Sequence, residues 1–91
     1  MNVSEAAYRV PFRVQRRPPV FSFINTSPER VDGVTLTLHG TGLMAANVPA
    51  TLRPGEALAV TVVGQHTARN SILVIRWFRP DGVEDLWRVS L

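Results

Sequence analysis

The sequence contains no cysteine. That excludes a disulfide framework, a thiolate metal site and a cysteine nucleophile, and it fits a reducing compartment. Lysine is missing too: all ten basic residues are arginine. With no ammonium group to titrate, guanidinium groups alone set the isoelectric point near 11.1. The formal net charge is only +3, so the high isoelectric point carries little weight as a sign of nucleic-acid binding. An all-arginine basic complement with abundant alanine and valine is also what a GC-rich genome tends to encode.

Long hydrophobic runs are lacking. None approaches the roughly 20 residues of a membrane-spanning helix. The opening stretch "MNVSEAAYRVPFRVQRRPP" has no continuous apolar core and places its arginines after its apolar residues, unlike an export signal. The expected location is the cytoplasm. Residues 1–7 have little to bury and are expected to be a disordered or frayed lead-in to a single domain over 8–91.

Catalytic patterns are scarce. His39 and His66 stand far apart, with no His-x-His or His-x₃-His spacing and no third ligand in view. No Gly-x-Ser-x-Gly elbow occurs. "HGTG" (39–42) lacks the Gly-Lys-Ser/Thr of a phosphate loop and reads as a hairpin turn. The expectation is a non-enzyme without a cofactor or metal. Asn-x-Ser/Thr occurs at Asn2 and Asn25, but it carries no weight without export.

Sustained helical periodicity is absent, and alternation of period two takes its place. With 91 residues, 45% of them hydrophobic, the chain has material for one thin core. "YRVPFRV" (8–14) sets Tyr8, Val10, Phe12 and Val14 against Arg9, Pro11 and Arg13. Pro11 cannot donate a ladder bond, which predicts an edge strand. "VFSFIN" (20–25) is apolar on both faces and predicts an interior strand. "VTLTLH" (34–39) alternates as a half-buried strand. Residues 40–52 are ambiguous between a short strand, an irregular edge and a helical turn at Leu43–Asn47. "RPGE" (53–56) is a turn, and "ALAVTVV" (57–63) puts Leu58, Val60 and Val62 on one face. "GQHTARN" (64–70) is a polar loop. "SILVIRWFR" (71–79) and "VEDLWRVSL" (83–91) are the strongest strand signals. The expected fold is all-β: a single antiparallel β-sandwich of about seven strands.

"FSFINTSPERVDGVTLTLHGTG" followed by "VPATLRPGEALAVTV" resembles the small bacterial immunoglobulin-like modules of the CARDB and fibronectin-III-like kind. The matching features are the Asn25-Thr26 corner and the Leu52-Arg53-Pro54-Gly55-Glu56 turn that launches a strand. The resemblance covers roughly Val20 to Leu91 and concerns fold. It implies an immunoglobulin-like sandwich acting as a non-catalytic adhesion, scaffold or accessory domain, usually within a longer secreted protein.

Three binding surfaces can be placed on this frame. The first is the hairpin. A Pro80-Asp81 type I turn followed by left-handed Gly82 pairs Arg79 with Val83. Trp77 then opposes Asp85, Ile75 opposes Trp87, and Leu73 opposes Val89. Period two sends Leu73, Ile75, Trp77, Val83, Trp87 and Val89 to one face, the expected core, with Trp77 nearer the turn and only partly buried. The other face receives Arg76, Phe78, Glu84, Leu86, Arg88 and Ser90, extended by Ile72 and Val74. Arg76, Phe78, Leu86 and Arg88 form an apolar strip rimmed by arginine, the chemistry of a contact with another protein or a second copy. The edge strand around Tyr8–Val14 adds a site for strand pairing.

The second surface is Arg9, Arg13, Arg16 and Arg17. It suits nucleic acid or another anionic partner, although alternation puts Arg9 and Arg13 opposite Tyr8 and Phe12 and so spoils a stacking platform. Charges on an edge strand also guard against aggregation. The third is Trp77 as a plate for a small molecule or carbohydrate.

Overall fold

Proline and glycine break the chain into short runs rich in β-branched and aromatic residues, and nearly every such run becomes a strand. The computed structural model describes residues 9–64 and 71–91. These residues form eight strands: β1 (Phe12–Arg17), β2 (Val20–Asn25), β3 (Val31–Gly40), β4 (Leu43–Ala46), β5 (Ala50–Leu52), β6 (Ala57–Val63), β7 (Ser71–Phe78) and β8 (Glu84–Ser90). They make two antiparallel sheets, β1-β2-β6-β4 and β5-β3-β7-β8, packed as an all-β sandwich.

The first strand is at a sheet edge, but it runs from Phe12 to Arg17 rather than from Tyr8 to Val14, so Pro11 is not the residue that keeps it there. Pro11 stands just before it, and its carbonyl accepts a 2.8 Å bond from the Thr26 amide. Tyr8, residues 1–7 and His66 with its loop (65–70) lie outside the described residues. β2 is interior, between β1 and β6. The ambiguous stretch 40–52 holds no helical turn: it supplies β4 to one sheet and β5 to the other. Both are short edge strands, which explains why neither shows a clear alternation.

Inward-facing residues of both sheets fill the core. Phe12, Phe21, Phe23, Leu58, Val60 and Val62 meet Val34, Leu36, Leu73, Ile75, Trp77 and Val89. Phe23, Ile75 and Leu73 are wholly buried, worth roughly 2–3 kcal/mol each in removed apolar surface. The aromatic rings pack edge to face. Phe12 meets Trp77 at 5.2 Å between ring centroids and Phe23 meets Trp87 at 6.4 Å, a favoured geometry for ring quadrupoles.

Asn25 ties the sheets together from the end of β2. It is fully buried, so each of its polar groups needs a partner. Its Nδ2 donates to the carbonyls of Glu29 (2.8 Å) and Leu52 (2.9 Å). Its Oδ1 accepts from the Ser27 amide (2.9 Å) and the Ser27 hydroxyl (2.7 Å). Its backbone bonds Glu56 and Gly55, both at 2.8 Å. The Asn25-Thr26 corner and the Leu52–Glu56 turn are therefore one hydrogen-bonded unit. With its amide nitrogen so occupied, Asn25 offers no surface for glycosylation.

Candidate functional site: the outer face of the β7–β8 hairpin

The hairpin register follows from its turn. Pro80 presets φ at the first turn position, and Gly82, at φ 86°, takes the left-handed one. The Gly82 amide donates to the Arg79 carbonyl and the Arg79 amide to the Val83 carbonyl, both at 2.9 Å. Trp77 opposes Asp85, Ile75 opposes Trp87, and Leu73 opposes Val89, as the turn chemistry predicts.

The inward face differs in detail from expectation. Trp77 is buried, with 4% of its surface exposed, and Trp87 is only partly buried against the core. Distance from the turn is a poor guide here, because Phe12 of β1 crosses over to cover Trp77. Val83 has inward parity yet is exposed, since the hairpin tip runs past the core.

The outward face carries Ile72, Val74, Arg76 and Phe78 on β7, with Glu84, Leu86 and Arg88 on β8. Ile72, Phe78 and Leu86 are 40–47% exposed. Val74 is an exception: it has outward parity but is buried, set between Thr37 and Arg88 on the flanking strands. Arg76 makes a loose ion pair with Glu84 at 3.8 Å. Among the described residues Arg88 has no ion pair. The four residues chosen from sequence, Arg76, Phe78, Leu86 and Arg88, thus share one exposed face, with Arg88 and Leu86 on its edge strand.

Phe78 also has a structural task. Its ring lies over Gly33, which sits at φ +60° where β3 shifts register against β7. The bulge removes a side chain from the sheet face and the ring fills the place.

The arginine cluster is dispersed. Arg13 and Arg17 are exposed on β1 with outward parity, opposite to buried Phe12. Arg16 has inward parity and reaches the facing sheet, where its Nη2 donates to the Ser90 carbonyl at 3.2 Å. Arg9 precedes the strand and lines a separate groove.

Sequence spacing alone does not disclose that groove. It encloses about 690 Å³ at the end of the sandwich, between the chain leading into β1, the β2–β3 corner and the hairpin tip. Trp77, Arg79 and Asp85 line its inner wall. Arg79 Nε stands 3.2 Å from Asp85 Oδ2, both side chains being partly buried. The available signal was parity: Arg79 and Asp85 are charged residues on the inward face of a hairpin, one of them opposite a tryptophan.

His39 is exposed at the end of β3. No group of three or more His, Asp or Glu side chains placed to hold a metal ion occurs among the described residues. No helix among them is long and apolar enough to cross a membrane. In comparison with known proteins, no family model, no curated protein and no solved structure matches the chain.

Proposed function

We propose that this chain is a non-catalytic protein-interaction module with an immunoglobulin-like sandwich, binding through the outer face of the β7–β8 hairpin and the edge beside it. One observation carries the reading. Phe78 and Leu86, both exposed, are diagonal neighbours across β7 and β8, with Arg76 opposite Leu86 and Arg88 next to it on the same face. Isolated surface apolars are ordinary, but an adjacent exposed phenylalanine and leucine flanked by two arginines match the composition of an interface centre and rim. The immunoglobulin-like part of the reading is supported by β2–β6 and β3–β7 pairing at the centres of the two sheets, with β1 and β8 at facing edges.

The other two readings draw less support. An anionic partner would need convergent arginines, whereas Arg13 and Arg17 point one way, Arg16 another, and Arg9 lies in the groove. A carbohydrate stacked on Trp77 would need an open indole face, whereas that ring is buried against Phe12.

The test is capture of partners on immobilised protein, with and without nuclease, comparing the native chain with Leu86→Ser and Phe78→Ser. A nuclease-resistant partner lost in both variants, with unchanged far-UV circular dichroism, supports the reading. Capture that survives both substitutions overturns it.

A further inference from the structure

Sheet edges expose unpaired backbone groups, and the four edges here are not alike. β4 and β5 are short, at four and three residues. The charged side chains of β1, Arg13, Arg16 and Arg17, are all positive, so an antiparallel copy of it would crowd arginines together with no acidic partner. β8 has seven residues and both signs of charge.

The free groups of β8 follow from its pairing with β7. Arg79 and Val83 are a hydrogen-bonded pair, and such pairs recur at every second residue of an antiparallel ladder. Asp85, Trp87 and Val89 therefore bond to β7. Glu84, Leu86 and Arg88 turn their amides and carbonyls outward, and their side chains lie on the exposed face. Ser90 is the exception at the end, since its carbonyl already accepts from Arg16.

In sequence these residues read Glu84-x-Leu86-x-Arg88, a pattern whose charges are self-complementary on reversal. The geometry points to a second copy of this chain as the partner of the β8 edge, joined antiparallel about a two-fold axis at Leu86. In that register Leu86 meets its own counterpart, and each Glu84 lies opposite the other copy's Arg88. Glu84, Leu86 and Arg88 exchange backbone bonds across the axis, and the two sheets become one. Shifting the register by two residues sets Leu86 against arginine or glutamate and loses the reciprocal ion pairs. Charge pairing therefore selects one alignment, as cross-strand pairs do within sheets. The contact is isologous and closes on itself, which limits growth to a dimer. Glu84 is only loosely engaged with Arg76, at 3.8 Å, and is free to turn outward. The exposed Leu86 is covered by its counterpart, with Phe78 of each copy diagonal to it.

This inference rests on the interaction-module reading and names its partner. Charge reversal tests it, with sedimentation equilibrium of the full chain as the measure. The native chain is expected to dimerise. Glu84→Arg alone and Arg88→Glu alone each set like charges opposite one another at two symmetric places, raising the dissociation constant roughly ten- to a hundredfold. Mixing the two variants restores opposite charges at both places, so a heterodimer of near-native affinity is expected. That recovery also shows that both variants are folded. A native chain that stays monomeric overturns the inference, as do single variants that dimerise like the native chain or a mixture that fails to associate. The broader reading fails separately, when Phe78→Ser and Leu86→Ser leave partner capture untouched.

Discussion

The ring of Phe78 lies directly over the backbone of Gly33, so close that a Cβ built on the glycine would stand 2.5 Å from Phe78 Cδ2. The same glycine holds φ at +60°. Gly33→Ala thus meets both a strained backbone and an occupied space. It is expected to cost about 2–3 kcal/mol, a fall in Tm of roughly 10–20 °C for a domain of this size. Thermal unfolding followed by circular dichroism measures it. Phe78→Ser, which only uncovers the bulge at a residue 43% exposed, should cost about 1 kcal/mol and leave the fold intact.

Asn25→Ala removes the side chain that satisfies the carbonyls of Glu29 and Leu52 and the amide and hydroxyl of Ser27. Stranded groups cost more than the bonds themselves contribute. The expected loss is about 3 kcal/mol, read from urea unfolding at constant slope. A loss below about 1 kcal/mol would mean that water replaces the asparagine without penalty.

The two tryptophans should respond in opposite order to their distance from the turn. Trp77→Ala is expected to cost about 3–5 kcal/mol, because the indole is buried against Phe12. Trp87→Ala should cost visibly less. In Trp77→Phe and Trp87→Phe chains the remaining tryptophan reports itself. The emission of Trp77 should be the bluer of the two and the less quenched by acrylamide.

The scattered arginines predict weak, non-cooperative attraction to anions. Filter binding at low salt should retain little single-stranded or duplex DNA, and Arg13→Ala with Arg17→Ala should change little. Tight retention whose logarithm falls with log salt at a slope of several units would instead reveal a phosphate-binding surface.

How far the sequence discloses the molecule depends on which force fixes each part. The β7–β8 register is legible because Pro80, Asp81 and Gly82 admit one turn geometry, and period two then sorts every side chain. That sorting also places Arg76, Phe78, Leu86 and Arg88 on one face. The β4–β5 segment is illegible because two edge strands of four and three residues are too short to alternate, and the sheet each joins is decided by distant β6 and β3. The burial of Trp77 depends on Phe12, which lies at the other end of the chain, and local spacing cannot report it. The same holds for Val74, whose cover comes from the strands beside it.

One asymmetry of the sandwich has a mechanical consequence. The chain passes from sheet to sheet three times in succession around β4 and β5, between Gly40 and Ala57. On the opposite side β1 and β8 face each other with no chain joining them, and Arg16 reaches across to Ser90. The molecule is bound like a book, with a spine at β4–β5 and a fore-edge at β1 and β8. Thermal opening is expected to begin at the fore-edge, and a second copy paired along β8 would act as its clasp.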